Sequence, residues 1–438
     1  MMEKNIDTNK IIKVLAYCDS PTCATGFGTV SRNIFEGLHK TGRYQIDILG
    51  VNYWGDPHTF PYRIWPTGTN SERDPYGRKK ICGMIPDMIK QVGYDILFFL
   101  QDTFILDFLP ELMQHLREAE LKKFKSICYF PVDGSPNRDW IRNVNSVDYL
   151  VAYSEFGKRE AKRAFPEVKD MYSIPHGANT ANFTPMSGKD IAKFRQQYFG
   201  KHHDKFIFTN LNRNQQRKDI PRTLQAFKEF RKQVPNSILY LHMAKQDQGW
   251  DLVKVCDSFG FSVQEDVIFP ENFGPNQGYP IGIVNLIYNA SDCVISTTLG
   301  EGWGLSWIEA MATKTPIIMP DNTAITENIT EERGYLVKSG DDPSLYTVLP
   351  HDNEVIRPLV DVNNLVDTML EVYNNYDEAK KKAENAYAWI MTQMDWQTSV
   401  APKWVDLFDK AYMDIVKEGN NGLAASEESE RTLKAEEF

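Results

Sequence analysis

Short apolar runs alternate along the chain with stretches whose apolar positions recur every three or four residues. Residues 11–17, 45–51, 95–100, 126–130 and 149–153 read as strands, and 26–39, 105–119 and 155–164 as helices between them. The pattern then repeats. Strands are predicted at 206–211, 237–242, 267–269, 293–296, 316–319 and 334–337, with a helix running through Phe230. Strand and helix in strict alternation build parallel sheets covered on both faces, so the fold class is α/β. From 361 to 417 the pattern is helical, with Trp389, Trp396, Trp404, Leu407 and Phe408 as apolar anchors.

With 438 residues the chain exceeds what one core organises, and two domains are expected. Residues 187–205 turn polar and basic, as a linker with a connecting helix should. The net charge of −10, without a long basic run, argues against a protein that coats nucleic acid or anionic membrane. Cys18, Cys23, Cys82, Cys128, Cys256 and Cys293 form no CxxC pair, and several sit in apolar runs, which suits reduced thiols in a cytoplasmic protein. The first ten residues lack the apolar stretch of a signal peptide, and no apolar run approaches the roughly eighteen residues of a membrane span. Residues 418–438 are acidic and Ser/Ala-rich, a flexible tail or loosely held helix.

The chemistry concentrates in Ser296-Thr297-Thr298-Leu299-Gly300-Glu301-Gly302-Trp303-Gly304-Leu305-Ser306-Trp307-Ile308-Glu309-Ala310-Met311-Ala312. This is strand, glycine-broken loop and helix. A helix start leaves N–H groups unpartnered and attracts phosphate, and Gly302 and Gly304 let an anion approach the main chain. Glu309, in the second turn, suits neutral hydroxyls such as a ribose diol. Arg213 and Lys218 lie in the loop after the first strand of the second half, where two cations can grip a diphosphate; Arg217 is a rival for Lys218. A solvated basic loop is the plain alternative.

The E-x7-E spacing of Glu301 and Glu309 around this loop resembles the signature of GT4-type retaining nucleotide-sugar glycosyltransferases. Lys314 and Thr315 stand where that family usually has a small residue and Gly, and Asn212 and Asp219 replace the glycines of its G-R-x-x-x-x-K-G segment. The resemblance implies a GT-B fold: two Rossmann-like domains facing across a cleft, with a C-terminal helix crossing back to the first. The expected divisions are 1–185 for the acceptor domain, 186–388 for the donor domain, 389–417 for the returning helices and 418–438 for the tail. It further implies a nucleotide-diphosphate sugar, a UDP-sugar above all, as co-substrate, with no cofactor and no metal. In that scheme Arg213, Lys218 and the backbone of Gly302, Trp303, Gly304 and Leu305 hold the diphosphate. Glu301 contacts the donor sugar, Glu309 the ribose, and Gly26 and Gly28 form a first glycine-rich loop facing the donor.

Other readings compete at several points. A dinucleotide site at Gly26-Phe27-Gly28 is disfavoured because Ser31 holds the third glycine position and Asn52, not an acid, ends the second strand. Residues 52–80 are a hairpin capping the sheet edge or an acceptor-binding loop. Asp133, at the end of a strand where relatives often carry His-Asp, is an acceptor contact or a turn residue; Asp102 shares that ambiguity. His176, in a segment resembling the family's interdomain P-N/H-G-V-D, is a structural cap or a phosphate contact, the former preferred. Residues 271–282 form a long loop where the base tends to sit. A nucleotide-sugar-binding protein without turnover, or an epimerase or phosphorylase of the same fold, is the alternative to a transferase. The acceptor is left open among glycan, lipid, protein and modified DNA, the last because 25–29 and 52–57 resemble phage-type members; the acidic balance weighs against DNA.

Overall fold

A computed structural model describes residues 10–69, 73–119, 121–274, 278–350 and 352–436, with side chains to 419. The first domain runs β1 (Ile12–Asp19), α1 (Gly26–Lys40), β2 (Tyr44–Val51), β3 (Arg63–Pro66), α2 (Arg78–Val92), β4 (Ile96–Leu100), α3 (Leu109–Glu118), β5 (Lys125–Phe130), α4 (Arg138–Val144), β6 (Tyr149–Ala152), α5 (Glu155–Ala164) and β7 (Met171–Ser173). Its seven strands are all parallel, in the order β3-β2-β1-β4-β5-β6-β7. The first strand explains the burial: Leu15 and Tyr17 pack on one face, Val14, Ala16 and Cys18 on the other, and all are buried.

The described residues of the segment 52–80 form no hairpin. Its strand β3 pairs in parallel with β2 at the sheet edge, and α2 then begins at Arg78, a helix the sequence pattern did not announce because Pro86 lies inside it.

After α6 (Gly188–Phe199) the second domain repeats the plan with β8 (Phe206–Asn210), α7 (Ile220–Gln233), β9 (Ser237–Leu241), α8 (Leu252–Phe259), β10 (Val267–Ile268), α9 (Ile281–Ala290), β11 (Cys293–Ile295), α10 (Leu305–Ala312), β12 (Ile317–Pro320), α11 (Ile325–Asn328) and β13 (Tyr335–Val337). The order is β10-β9-β8-β11-β12-β13, again parallel. Each order reverses beside its first strand, between β1 and β4 and between β8 and β11. Open α/β sheets bind ligands at the carboxyl ends of such strands. An antiparallel pair, β14 (Tyr346–Val348) and β15 (Ile356–Pro358), precedes α12 (Val362–Asn374) and α13 (Tyr376–Trp389).

The chain crosses between domains twice, side by side. Ala178 N donates to Met394 O (2.8 Å) and Trp396 N to Ala178 O (3.0 Å). Gly177 permits this approach, since a Cβ there would meet Met394 O at 2.6 Å. Helix α14 (Ala401–Glu436) then lies on the first sheet: Trp404 meets Tyr129 (ring centroids 4.6 Å) and Phe98 (5.7 Å), while Asp409 accepts from Tyr44 and pairs with Arg43 (2.7 Å). The side chains of the expected tail beyond 419 lie outside the described residues, as do Pro275 and Gln277 of the 271–282 loop. Among the described residues no helix is long and apolar enough to cross a membrane.

Candidate active site

Beyond Asn210 the chain leaves β8, makes a short 3-10 turn at Gln216–Lys218 and reverses through Asp219 in the left-handed region (φ 43°). The resemblance wants glycine there, and the strain of an L-residue explains why. Asp219 is held by an ion pair with Arg222 (3.0 Å) and by the Thr297 hydroxyl on its carbonyl (2.8 Å). The turn delivers Arg217 and Lys218 to the loop after β11. The Lys218 ammonium pairs with Glu301; Arg217 pairs with the other Glu301 oxygen (3.3 Å) and donates to Gly300 O; the Thr298 hydroxyl donates to Glu301 (2.8 Å).

Charge compensation governs these groups. Burial would raise the Glu301 carboxyl, but Lys218 and Arg217 outweigh it and keep its pKa below the ordinary value. Burial brings Lys218 down to about 8, and Glu301 only partly offsets it. Arg213 is elsewhere. Its guanidinium makes a two-pronged pair with Asp247 (2.6 and 3.1 Å) on the loop after β9, so Arg217 rather than Arg213 is the second cation at Glu301.

Helix α10 starts at Leu305 with Gly304 as its cap (φ 102°), and no side chain caps it. Only glycine fits, because the Trp307 ring occupies the space a Cβ would need. Gly302 lies against Pro131 of the first domain, and a Cβ on Gly26 would be 3.9 Å from Leu305 Cδ1, so both glycine-rich loops meet here. Gly28 is instead packed against the carbonyls of Ser20 and Cys23, and its N–H takes the Thr25 cap (3.0 Å). Trp303 is buried with its Nε1 unpartnered. Glu309 is partly buried, accepts from Tyr288 OH (2.8 Å), and burial raises its carboxyl to about 7.

His176 sits among Tyr129, Tyr153, Trp303 and Trp396. Tyr129 gives its only hydroxyl proton to Ile174 O (2.7 Å), so His176 Nδ1 (2.8 Å) must be the donor to that oxygen. Burial lowers the imidazole to about 3, which leaves a neutral ring at the domain crossing.

The first domain contributes three carboxyls at neighbouring strand ends. Asp19, after β1, accepts from Thr25 (2.7 Å) and Gln101 (2.8 Å). Asp102, after β4, is raised to about 7 by burial and by Asp133. Asp133, after β5, pairs with Arg217 (3.1 Å) and with Arg357 of β15 (3.2 Å); burial works against its charge, but both cations hold its pKa low. Glu301, Lys218, Asp133, Gly302 and Leu305 therefore share one cleft. Arg357 and Asp19 were missed from sequence. A single arginine between Ile356 and Pro358 carries no motif, although an acid closing the first strand was a usable signal.

Residues 205–349 match the family model described as glycosyl transferases group 1. A candidate glycosyltransferase of Bacillus subtilis, EpsD, is 24% identical over 280 residues, covering 59% of this chain and 67% of the relative. Among solved structures, sucrose-phosphate synthase from Thermosynechococcus elongatus superposes with a TM-score of 0.71 at 16% identity, over 92% of this chain and 100% of that one. Anabaena HepE in complex with UDP-glucose gives 0.68 at 15% identity, over 91% and 100%. These last likenesses establish the architecture. Residues 205–349, in the second domain, are accordingly a glycosyl transferases group 1 domain, and the two parallel sheets form a GT-B fold.

Proposed function

We propose that the protein transfers a sugar from a nucleotide-diphosphate donor, in the first instance a UDP-sugar, to an acceptor hydroxyl with retention of anomeric configuration. The observation that carries this is the meeting of Lys218 and Arg217 with Glu301 beneath the uncapped start of α10, across from the strand ends of the first domain. HepE was solved with UDP-glucose bound, which favours uridine as the base to try first.

The bond between the anomeric carbon and the diphosphate oxygen breaks, and its electron pair leaves with the phosphate. Lys218, Arg217 and the amides of Gly302, Trp303, Gly304 and Leu305 stabilise that charge, each charge-assisted bond contributing about 1.5–3 kcal/mol. The acceptor oxygen bonds to the same face of the carbon, and its proton passes to the departing phosphate oxygen. When Lys218 turns to phosphate, Glu301 is freed to accept from donor-sugar hydroxyls, and Glu309 takes the ribose diol. Gly26 closes the cleft from the first domain, Gly28 supports that loop, and Asp133 orients the cations. Arg213, with Asp247, stands outside this set as a further phosphate contact.

Thermal shift against UDP-, GDP- and ADP-sugars tests the reading, with Glu309→Ala as control. One donor should raise the melting temperature of the wild type and lose most of that effect in the variant. An undiminished shift in Glu309→Ala overturns the ribose role, and no shift with any donor overturns the function.

A further inference from the structure

The three carboxyls on the first-domain strand ends are not equivalent. Asp19 is satisfied by Thr25 and Gln101, and Asp133 by Arg217 and Arg357. Asp102, on the strand between theirs, makes no side-chain hydrogen bond among the described residues. Beside it stands a second unsatisfied group. Tyr153 is 5% exposed, its hydroxyl has no partner, and it lies within electrostatic reach of Asp102 and Asp19. A buried phenol costs about 1–3 kcal/mol when unpaired, so an occupant that supplies a polar atom there is favoured.

An aromatic pair borders the same strand ends. Phe104, two residues past Asp102, is 42% exposed, and its ring lies 5.8 Å from that of Trp140 at a tilt of 54°. Trp140 belongs to α4, which follows Asp133. An open aromatic face on the segment that follows a carboxyl without a hydrogen-bond partner suits a pyranose, which offers an apolar C–H face and hydroxyls that donate and accept. A phosphorylated or nucleic-acid acceptor would bring negative charge to Asp19 and Asp102, which pair with no cation among the described residues, and like charges repel.

Resting on the glycosyltransferase reading above, we infer that the acceptor is an uncharged saccharide, its ring on Phe104 and Trp140, one hydroxyl on Asp102 and one oxygen on the Tyr153 hydroxyl.

Saturation-transfer NMR on the full chain with UDP present tests this, using methyl α-D-glucopyranoside, methyl α-D-mannopyranoside and methyl β-D-galactopyranoside as probes. Glucose 6-phosphate and a DNA duplex containing 5-hydroxymethylcytosine are the charged comparisons. At least one methyl glycoside should receive saturation, with the signal falling at least about fivefold in Phe104→Ala and Trp140→Ala and returning in Phe104→Trp. Signals equal in wild type and Phe104→Ala overturn the inference, as does binding confined to the charged probes. A UDP thermal shift on the same samples separates the two proposals: its absence from the wild type counts against the donor reading alone, and its persistence in Phe104→Ala shows that the variant is folded.

Discussion

Arg357, on a strand of the second domain, reaches Asp133 on the first, with Nη1 3.2 Å from the carboxylate and a further bond to the Asp133 carbonyl. The guanidinium is 3% exposed and its other side is taken by Asp352 (2.7 Å). Arg357 thus joins Arg217 in fastening the second domain to Asp133 at the edge of the cleft. Replacing Arg357 by Met takes the cation from between Asp352 and Asp133 and leaves Asp133 with Arg217 alone. We expect a loss of about 1–3 kcal/mol in denaturant unfolding, and a coupling of about 1 kcal/mol with Asp133→Asn in a double-mutant cycle, modest because Asp133 is partly solvated.

Lys218 and Arg217 share Glu301, so removing one cation frees the other without emptying the site. Lys218→Met should weaken UDP-glucose binding by roughly tenfold or more and lower kcat by about a hundredfold, since phosphate loses its nearest ammonium in the transition state. Steady-state kinetics and calorimetry read the two effects separately.

Glu309 titrates near 7 where its ordinary value is 4.5. The folded chain keeps a proton that the unfolded chain releases, so this group's contribution to stability is complete below 4.5 and lost as pH rises through 7. The melting temperature of wild type relative to Glu309→Gln should therefore fall between pH 5 and 8. Ribose hydroxyls favour the ionised carboxylate, and UDP-glucose has no ionisation of its own in this range. Binding at pH 7 should thus release protons from wild type and fewer from Glu309→Gln, as calorimetry in two buffers of different ionisation heat would record.

Strand and helix alternation made the paired α/β sheets legible, because fully buried parallel strands are continuous apolar runs. The strand, glycine-broken loop and helix of the Glu301 to Glu309 stretch were equally readable, being local in sequence. What escaped were relationships across the fold. Arg213 and Arg217 both follow β8, and only the 3-10 turn, ending in left-handed Asp219, decides that Arg217 faces Glu301 while Arg213 turns to Asp247. Edge strand β3 was hidden among prolines and glycines, and Arg357 gains its meaning only from Asp133, more than two hundred residues away.

Trp404 is fully buried where α14 returns to the first sheet, edge-on to Tyr129 and Phe98. Trp404→Ala should cost about 3–5 kcal/mol, visible in chemical denaturation, because the cavity opens between two elements that cannot collapse together.

In the proposed reaction a donor pyrophosphate rests between the amides leading to Leu305 and the cations at Arg217 and Lys218. A crystal structure with UDP bound tests it most directly. Both phosphates are expected in that crevice, with the ribose hydroxyls on Glu309. Phosphates found against Arg213 and Asp247 alone, or on any surface away from Gly302 and Lys218, would contradict it.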